Sequence, residues 1–408
     1  MKDVSRRTIL ASGGALGAFA MMSPAYARAM TDWNWPASRS VAGAGTGIDP
    51  LQVWDPKADP VVASLLEDGV VPEVNELLRE WTRNDQPLPD GLPSELKDFM
   101  EEARQLPSWA DEDKLAAAVD FNEKRGLYTG VLYGMASGMM ATVIPQEALA
   151  VYYSKGGSDM KPRISKTAKL GYDIGTTNAY QPDGEMIVTA VKTRLVHAAV
   201  RHLLPQSQHW SEVAPEEIPI SQADVMVTWH SLATTVMQKI REWEIPVEDA
   251  ESEGYLHVWQ VTASMLGVDD EYIPASWDAA DEQAEQVLDP ILAPTREGVA
   301  LAELLLQLPE EVDRGILSRP LIGAFTRYVL GDQIAEWLEI PEEPFWDSAL
   351  NTFWEPFIAV REGVLDRFPG SSTLYWQFDE LLRQAMLLFL SEAEPISIEI
   401  PTHNNPDY

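Results

Sequence analysis

Residues 163–202 open with Arg163-Ile-Ser-Lys-Thr167 and close with Thr193-Arg-Leu-Val-His-Ala-Ala-Val-Arg-His202, setting cationic and imidazole groups into otherwise apolar helical sequence. Such groups are not buried without partners, so the stretch predicts a buried helix and something for its polar side chains to meet. From Glu185 to Leu204, the residues Ile187, Val188, Val191, Leu195, Val196, Val200, Leu203 and Leu204 suit most of the circumference to burial. Arg194, His197 and Arg201 stand at i, i+3 and i+7 on one face. His202 follows five residues after His197 and points away from that stripe.

Working outward, helical apolar spacing begins near Pro60 and persists, with turn signals at 85–93, 182–184, 215–219, Pro274, Pro294, Pro341 and 369–370. Ser221 and Asp224 predict a capped helix start, and Gly267 predicts a stop after a helix near 250–266. No run of alternating strand segments competes, and no repeat or low-complexity linker divides the chain. The expected fold class is all-α: one helical domain over 61–395 with a core at about 115–310. The Trp- and Pro-rich residues 28–60 predict an extended N-terminal arm, and residues 396–408 a C-terminal one.

The totals narrow the function. With 408 residues and 45% hydrophobic composition, the chain can bury a substantial core. Its 64 acidic against 30 basic residues give a formal charge of −34, which repels nucleic acid and anionic membranes. The absence of cysteine excludes disulfides, iron–sulfur clusters and covalent c-type haem. Residues 1–27 carry Ser5-Arg6-Arg7 before a Gly/Ala-rich apolar stretch that ends at Ala25-Tyr26-Ala27, the pattern of a twin-arginine export signal. No other stretch approaches a membrane span. Because that route exports folded proteins, it favours a cofactor inserted beforehand.

Four local signals carry possible chemistry, and each has an ordinary alternative. A histidine flanked by two arginines suits haem ligation with propionate pairing, or equally two arginines paired with acidic neighbours. Arg163, Lys166 and Thr167 share a face that is either a solvated basic surface or a site where burial lowers an amine pKa. Glu147, in Thr142-Val-Ile-Pro-Gln-Glu-Ala-Leu-Ala150, is either a base with a raised pKa or a first-turn helix residue. Thr228 and His230 are about 200° apart on a regular helix, so they cannot serve one spot. Glu-x-x-His, His-Glu-x-x-His, Gly-x-Ser-x-Gly and phosphate-loop motifs are all absent. Haem or no cofactor at all remains.

Taken together, Glu147, Arg163-x-x-Lys166-Thr167, Arg194-x-x-His197-x-x-x-Arg201-His202 and Thr228-x-His230 resemble the latex-clearing proteins, the b-type haem rubber oxygenases. The matching positions span residues 147–230. The resemblance implies a globin-like helical core with flanking helices around non-covalent haem b, and dioxygen as co-substrate. It implies His197 as proximal iron ligand and Lys166 as distal ligand of a closed state, with Arg163 and Thr167 supporting the distal site. Glu147 would take an allylic proton. Thr228 and His230 would shape the pocket or maintain haem binding, and Arg194, Arg201 and His202 would be structural or propionate-related. The expected substrate is poly(cis-1,4-isoprene), cleaved to oligo-isoprenoids with aldehyde and ketone ends by a monomeric protein in the periplasm or medium. A haem oxygenase for another prenyl or alkenyl chain, and a non-enzymatic haem or hydrophobe binder, remain alternatives. The apolar run Val131–Ala150, with Met135, Met139 and Met140, is expected to line a dry channel or to pack as core.

Overall fold

The structure is a computed structural model that describes residues 33–154, 160–214, 217–313, 318–367, 375–377, 379–381, 384, 391 and 396–404. The expected export signal at 1–27 lies outside the described residues. Among the described residues the chain is helical, and its only β-type pairing is an isolated antiparallel bridge between Ser40 and Pro274. The all-α expectation therefore holds.

The helices that place the site are α1 (Ala58–Glu67), α2 (Val71–Arg79), α3 (Ser94–Ala103), α4 (Glu112–Leu132), α5 (Pro145–Tyr153), α6 (Met160–Asp173), α7 (Met186–Leu203), α8 (Gln222–Trp229) and α9 (Thr235–Glu242). They are followed by α10 (Asp249–Met265), α11 (Trp277–Val287), α12 (Arg296–Asp313), α13 (Arg319–Leu330) and α14 (Pro344–Arg367). Helix α4 starts where the Asp111 side chain accepts from the Asp113 and Lys114 amides, and it runs through a π turn, Tyr133–Ser137, before continuing to Ala141. It packs against α10 so closely that a Cβ at Gly254 would stand 2.5 Å from the Ala118 amide nitrogen. Only glycine admits that crossing.

Helix α7 is the element shared between layers. Val188, Val191, Leu195, Ala198 and Ala199 join the cluster built by α1–α3, while Met186, Ile187 and Ala190 join the main core. Val200 and Leu204 pack into a third cluster with Leu149 and Trp210. Its bounds fall one residue inside the expected 185–204 at each end. An all-round apolar helix is stable only when enclosed on all sides, and these three clusters enclose it.

The expected local signals are present. Ser221 and Asp224 form a reciprocal capping box at the start of α8, and Gly267 follows α10 with φ +94°. The N-terminal arm is pinned across the domain by Trp35 Nε1 donating to the Ala279 carbonyl and Trp54 Nε1 to the Ile218 carbonyl. At the other end, residues 396–404 are non-helical, and Ile400 exchanges both backbone hydrogen bonds with the Asn75 side chain. Among the described residues no single helix is long and apolar enough to cross a membrane. Met139 and Met140 are core residues and Met135 packs against that core, which is the ordinary alternative for the 131–150 run.

Candidate active site

Pro145 at the first helical position starts α5 and sets Glu147 in its first turn. Thr228, on the last turn of α8, donates its hydroxyl to Glu147 Oε2 across 3.1 Å. Burial pushes the Glu147 carboxyl up to about 7, with Asp224 adding to the rise and the Thr228 hydrogen bond and Arg163 charge opposing it. Near neutral pH it is therefore poised to accept or release a proton.

Arg163, on α6, donates from Nη1 to Ser154 Oγ at 2.7 Å. Its charge acts on Glu147 and on His197 alike, which places it between helices α5 and α7. Burial lowers its own value to about 10, so it stays a cation at neutral pH. On α7, burial brings His197 down to about 3, helped by the Arg201 and Arg163 charges. Its imidazole is neutral, and Nδ1 is buried without a hydrogen-bond partner.

Glu147, Arg163, His197 and Thr228 are all only half-buried by surface exposure, yet Glu147, Arg163 and His197 lie at full depth in the protein. Surface that stays accessible among so many surrounding atoms lines a recess of the protein and not an open face. Tyr180 shares both properties, its hydroxyl paired with Thr262 Oγ1 at 2.8 Å. The π turn His230–Thr234 begins two residues after Thr228 and meets the one at Tyr133–Ser137, where Ser137 Oγ donates to the Ser231 carbonyl. Such turns recur at functional sites because they re-aim side chains.

The other expected site residues divide. Lys166 is half-buried three residues beyond Arg163, and Thr167 is exposed instead of being enclosed with them. Arg194 gives Nε and Nη2 to the two oxygens of Asp55 at 2.5 and 2.9 Å. Arg201 gives Nε to Asp59 at 2.7 Å and Nη1 to the Ile220 carbonyl. Both arginines thus tie α7 to carboxylates of the N-terminal segment, which fits the structural of the two roles expected of them. His202 is half-buried in the last turn of α7. His230 is fully buried, with Nδ1 paired to Thr234 Oγ1 and Nε2 to Gln283 Oε1, both at 2.8 Å. With both nitrogens used, it is a satisfied core histidine and has none left for a cofactor. Thr228 alone of that pair reaches the recess, as the 200° separation required.

Sequence reasoning missed Asp55, Asp59, Ser154 and Asp224 as partners. Asp55 and Asp59 carried a signal, since two carboxylates one turn apart at the start of α1 complement two guanidinium groups two turns apart on α7.

Among the described residues no group of three or more His, Asp or Glu side chains is placed to hold a bare metal ion. Nδ1 of the neutral His197 is sealed from solvent without a partner, while the half-buried ring keeps Nε2 outside any hydrogen bond, and a single such nitrogen suits the iron of a haem, whose remaining ligands come from the macrocycle.

Residues 124–360 match the family model described as the ER-bound oxygenase mpaB/B′/rubber oxygenase catalytic domain. The chain is 56% identical over 408 residues, all of both sequences, to a protein of Streptomyces sp. (strain K30) named rubber oxygenase. A solved structure described as latex clearing protein LCP in the closed state superposes with a TM-score of 0.82 at 57% identity, covering 90% of this chain and 99% of the other.

Proposed function

The chain belongs to the family of mpaB/B′ and rubber oxygenase catalytic domains, and from that premise we propose that it is an oxygenase that cleaves the carbon–carbon double bonds of rubber. In this reading the substrate is poly(cis-1,4-isoprene), the cofactor is non-covalent haem b, and residues 1–27 direct export of the folded protein by the twin-arginine route. The observation that carries the reading is a neutral His197 with an unpartnered Nδ1 and a Glu147 carboxyl raised to about 7, with the buried Arg163 cation acting on both.

His197 would hold the iron through a neutral nitrogen, and Lys166 would supply the distal amine of a closed state. Bound haem supplies dioxygen activation. Both atoms of dioxygen end in the two new carbonyls, an aldehyde and a ketone, so no external reductant is consumed. Glu147 takes an allylic proton: Oε2 is engaged by Thr228, leaving Oε1 to receive it and later return it. Arg163 stays protonated beside Glu147 and favours its carboxylate form. The enclosing α4 and α5 segments exclude water from a substrate that offers no hydrogen-bond donor.

The test is an absorption spectrum of the purified protein followed by product analysis with polyisoprene latex. The expected result is a Soret band, lost in His197→Ala, with carbonyl-ended oligomers released from latex. A His197→Ala protein with full haem content, or intact latex after incubation with the haem-loaded protein, rejects it.

A further inference from the structure

Helices α6 and α7, joined by residues 174–185, run in opposite directions, because Asp173, Lys169 and Arg163 of α6 act in turn on Thr189, Lys192 and His197 of α7, and one buried polar pin crosses their interface. Thr189 Oγ1, on the first turn of α7, donates to Asp173 Oδ2 at 2.5 Å. Lys169 Nζ pairs with the same Asp173 at 2.9 Å and with Glu185, which precedes α7, at 2.6 Å. Asp173 and Thr189 are 3% and 1% exposed, so this is an interior contact and not a surface ion pair. Such a contact fixes register, since sliding by one residue takes the Thr189 hydroxyl away from the buried Asp173 carboxylate, while Lys169, on the same helix, moves with it.

The register has a consequence for the site. Counting back seven residues from Asp173 reaches Lys166, and counting forward seven from Thr189 reaches Val196, next to His197. Seven residues are close to two full turns and about 10.5 Å of rise on each helix. In an antiparallel pair the pin therefore sets Lys166 level with His197, on the α6 face that Asp173 shares. We propose that Asp173, held by Thr189 and Lys169, is a positioning residue that sets the register of α6 against α7 and thereby the approach of Lys166 toward the group bound at His197.

This rests on the haem reading for its second half only, so two measurements separate the claims. The chain has no cysteine. Thr167→Cys on α6 and Gln206→Cys just beyond α7, both at exposed positions, accept a spin-label pair for distance measurement in the full-length protein. The mild variant is Thr189→Val, which keeps shape and removes the donor. Asp173→Asn is the second, and Thr189→Ser, which restores the hydroxyl, is the rescue.

The expected result is a distance distribution that shifts or broadens by more than about 1.5 Å, one residue of rise, in Thr189→Val and Asp173→Asn and returns in Thr189→Ser. In the haem-loaded protein, imidazole should then bind about tenfold more tightly to Thr189→Val, because a displaced Lys166 competes less for the distal side. A wild-type distribution in both variants overturns the register claim. A changed distribution with wild-type imidazole affinity overturns the positioning role. If the wild-type protein carries no haem, the functional reading fails while the distances still decide the register.

Discussion

Thr228 and Glu147, 81 residues apart in sequence, are joined by a 3.1 Å hydrogen bond from the threonine hydroxyl to Glu147 Oε2, deep inside the protein. Burial raises the Glu147 carboxyl to about 7 while this hydrogen bond pulls the other way. A base must be ionised to act, so activity that depends on Glu147 rises with pH through about 7 and falls below it. Thr228→Val removes a lowering influence and should move that limb to higher pH when rates are taken per haem bound. Glu147→Gln should lose about 10²–10⁴ in rate above pH 7, and less below it as the wild-type rate falls, while retaining its spectrum. Rates measured from pH 5 to 9 decide both, and an unmoved limb in Thr228→Val rejects the coupling.

Asp55→Ala should destabilise the protein far more than a surface change. Arg194 is 9% exposed and gives Asp55 two hydrogen bonds, so the variant strands a buried cation. Removing one member of a buried pair costs about 3–5 kcal/mol. Burial alone would raise the Asp55 carboxyl, but the hydrogen bonds and charge of Arg194 outweigh it and hold it below the usual carboxylate value. The pair's contribution is therefore complete above about pH 4 and is lost as pH falls through the lower folded value. Denaturant midpoints should separate wild type from Asp55→Ala at pH 7 and converge in strong acid.

What the sequence could show was local. The α7 apolar stripe, the Ser221–Asp224 box and the Gly267 stop depend on neighbours within a few residues, and all three are present. The assignments that needed distant partners were not legible. Arg194 and Arg201 meet carboxylates 139 and 142 residues away, and His230 meets Gln283 across 53 residues. Helical periodicity reports which face is buried, but not what lies against it. The two π turns at Tyr133–Ser137 and His230–Thr234 were also not legible, because the sequence around each is apolar or small on most sides, so the phase slip of one extra residue leaves no mark.

His257 predicts a second pH dependence, near neutrality. Its Nε2 accepts from the Asp111 amide at 2.9 Å, at the start of α4, and its Nδ1 pairs with Gln260. Accepting requires an unprotonated Nε2, and burial, with the Lys114 charge, holds the imidazole below its ordinary 6.5. A histidine depressed in the folded state stabilises fully above the unfolded value and loses that contribution as pH falls below it. Stability should decline between pH 7 and 5 in the wild type and decline less in His257→Gln. Equal declines in the two proteins remove His257 as the cause.

Gly267→Ala joins the end of α10 to the Asp55–Arg194 pair. Gly267 adopts φ +94°, where a side chain costs about 1–3 kcal/mol in backbone strain. An added Cβ would also stand 2.5 Å from Asp55 Oδ2 and 2.8 Å from Arg194 Nε, closer than packed atoms approach, so the ion pair must shift to admit it. Two costs therefore follow from one methyl group, and the second exists only while the pair exists. Asp55→Ala vacates the nearer contact, so the double variant Asp55→Ala/Gly267→Ala should be less destabilised than the sum of the two single variants. Urea unfolding of the four proteins measures this directly. Strict additivity would mean that the strain lies wholly in the backbone and that Gly267 is not required by the pair.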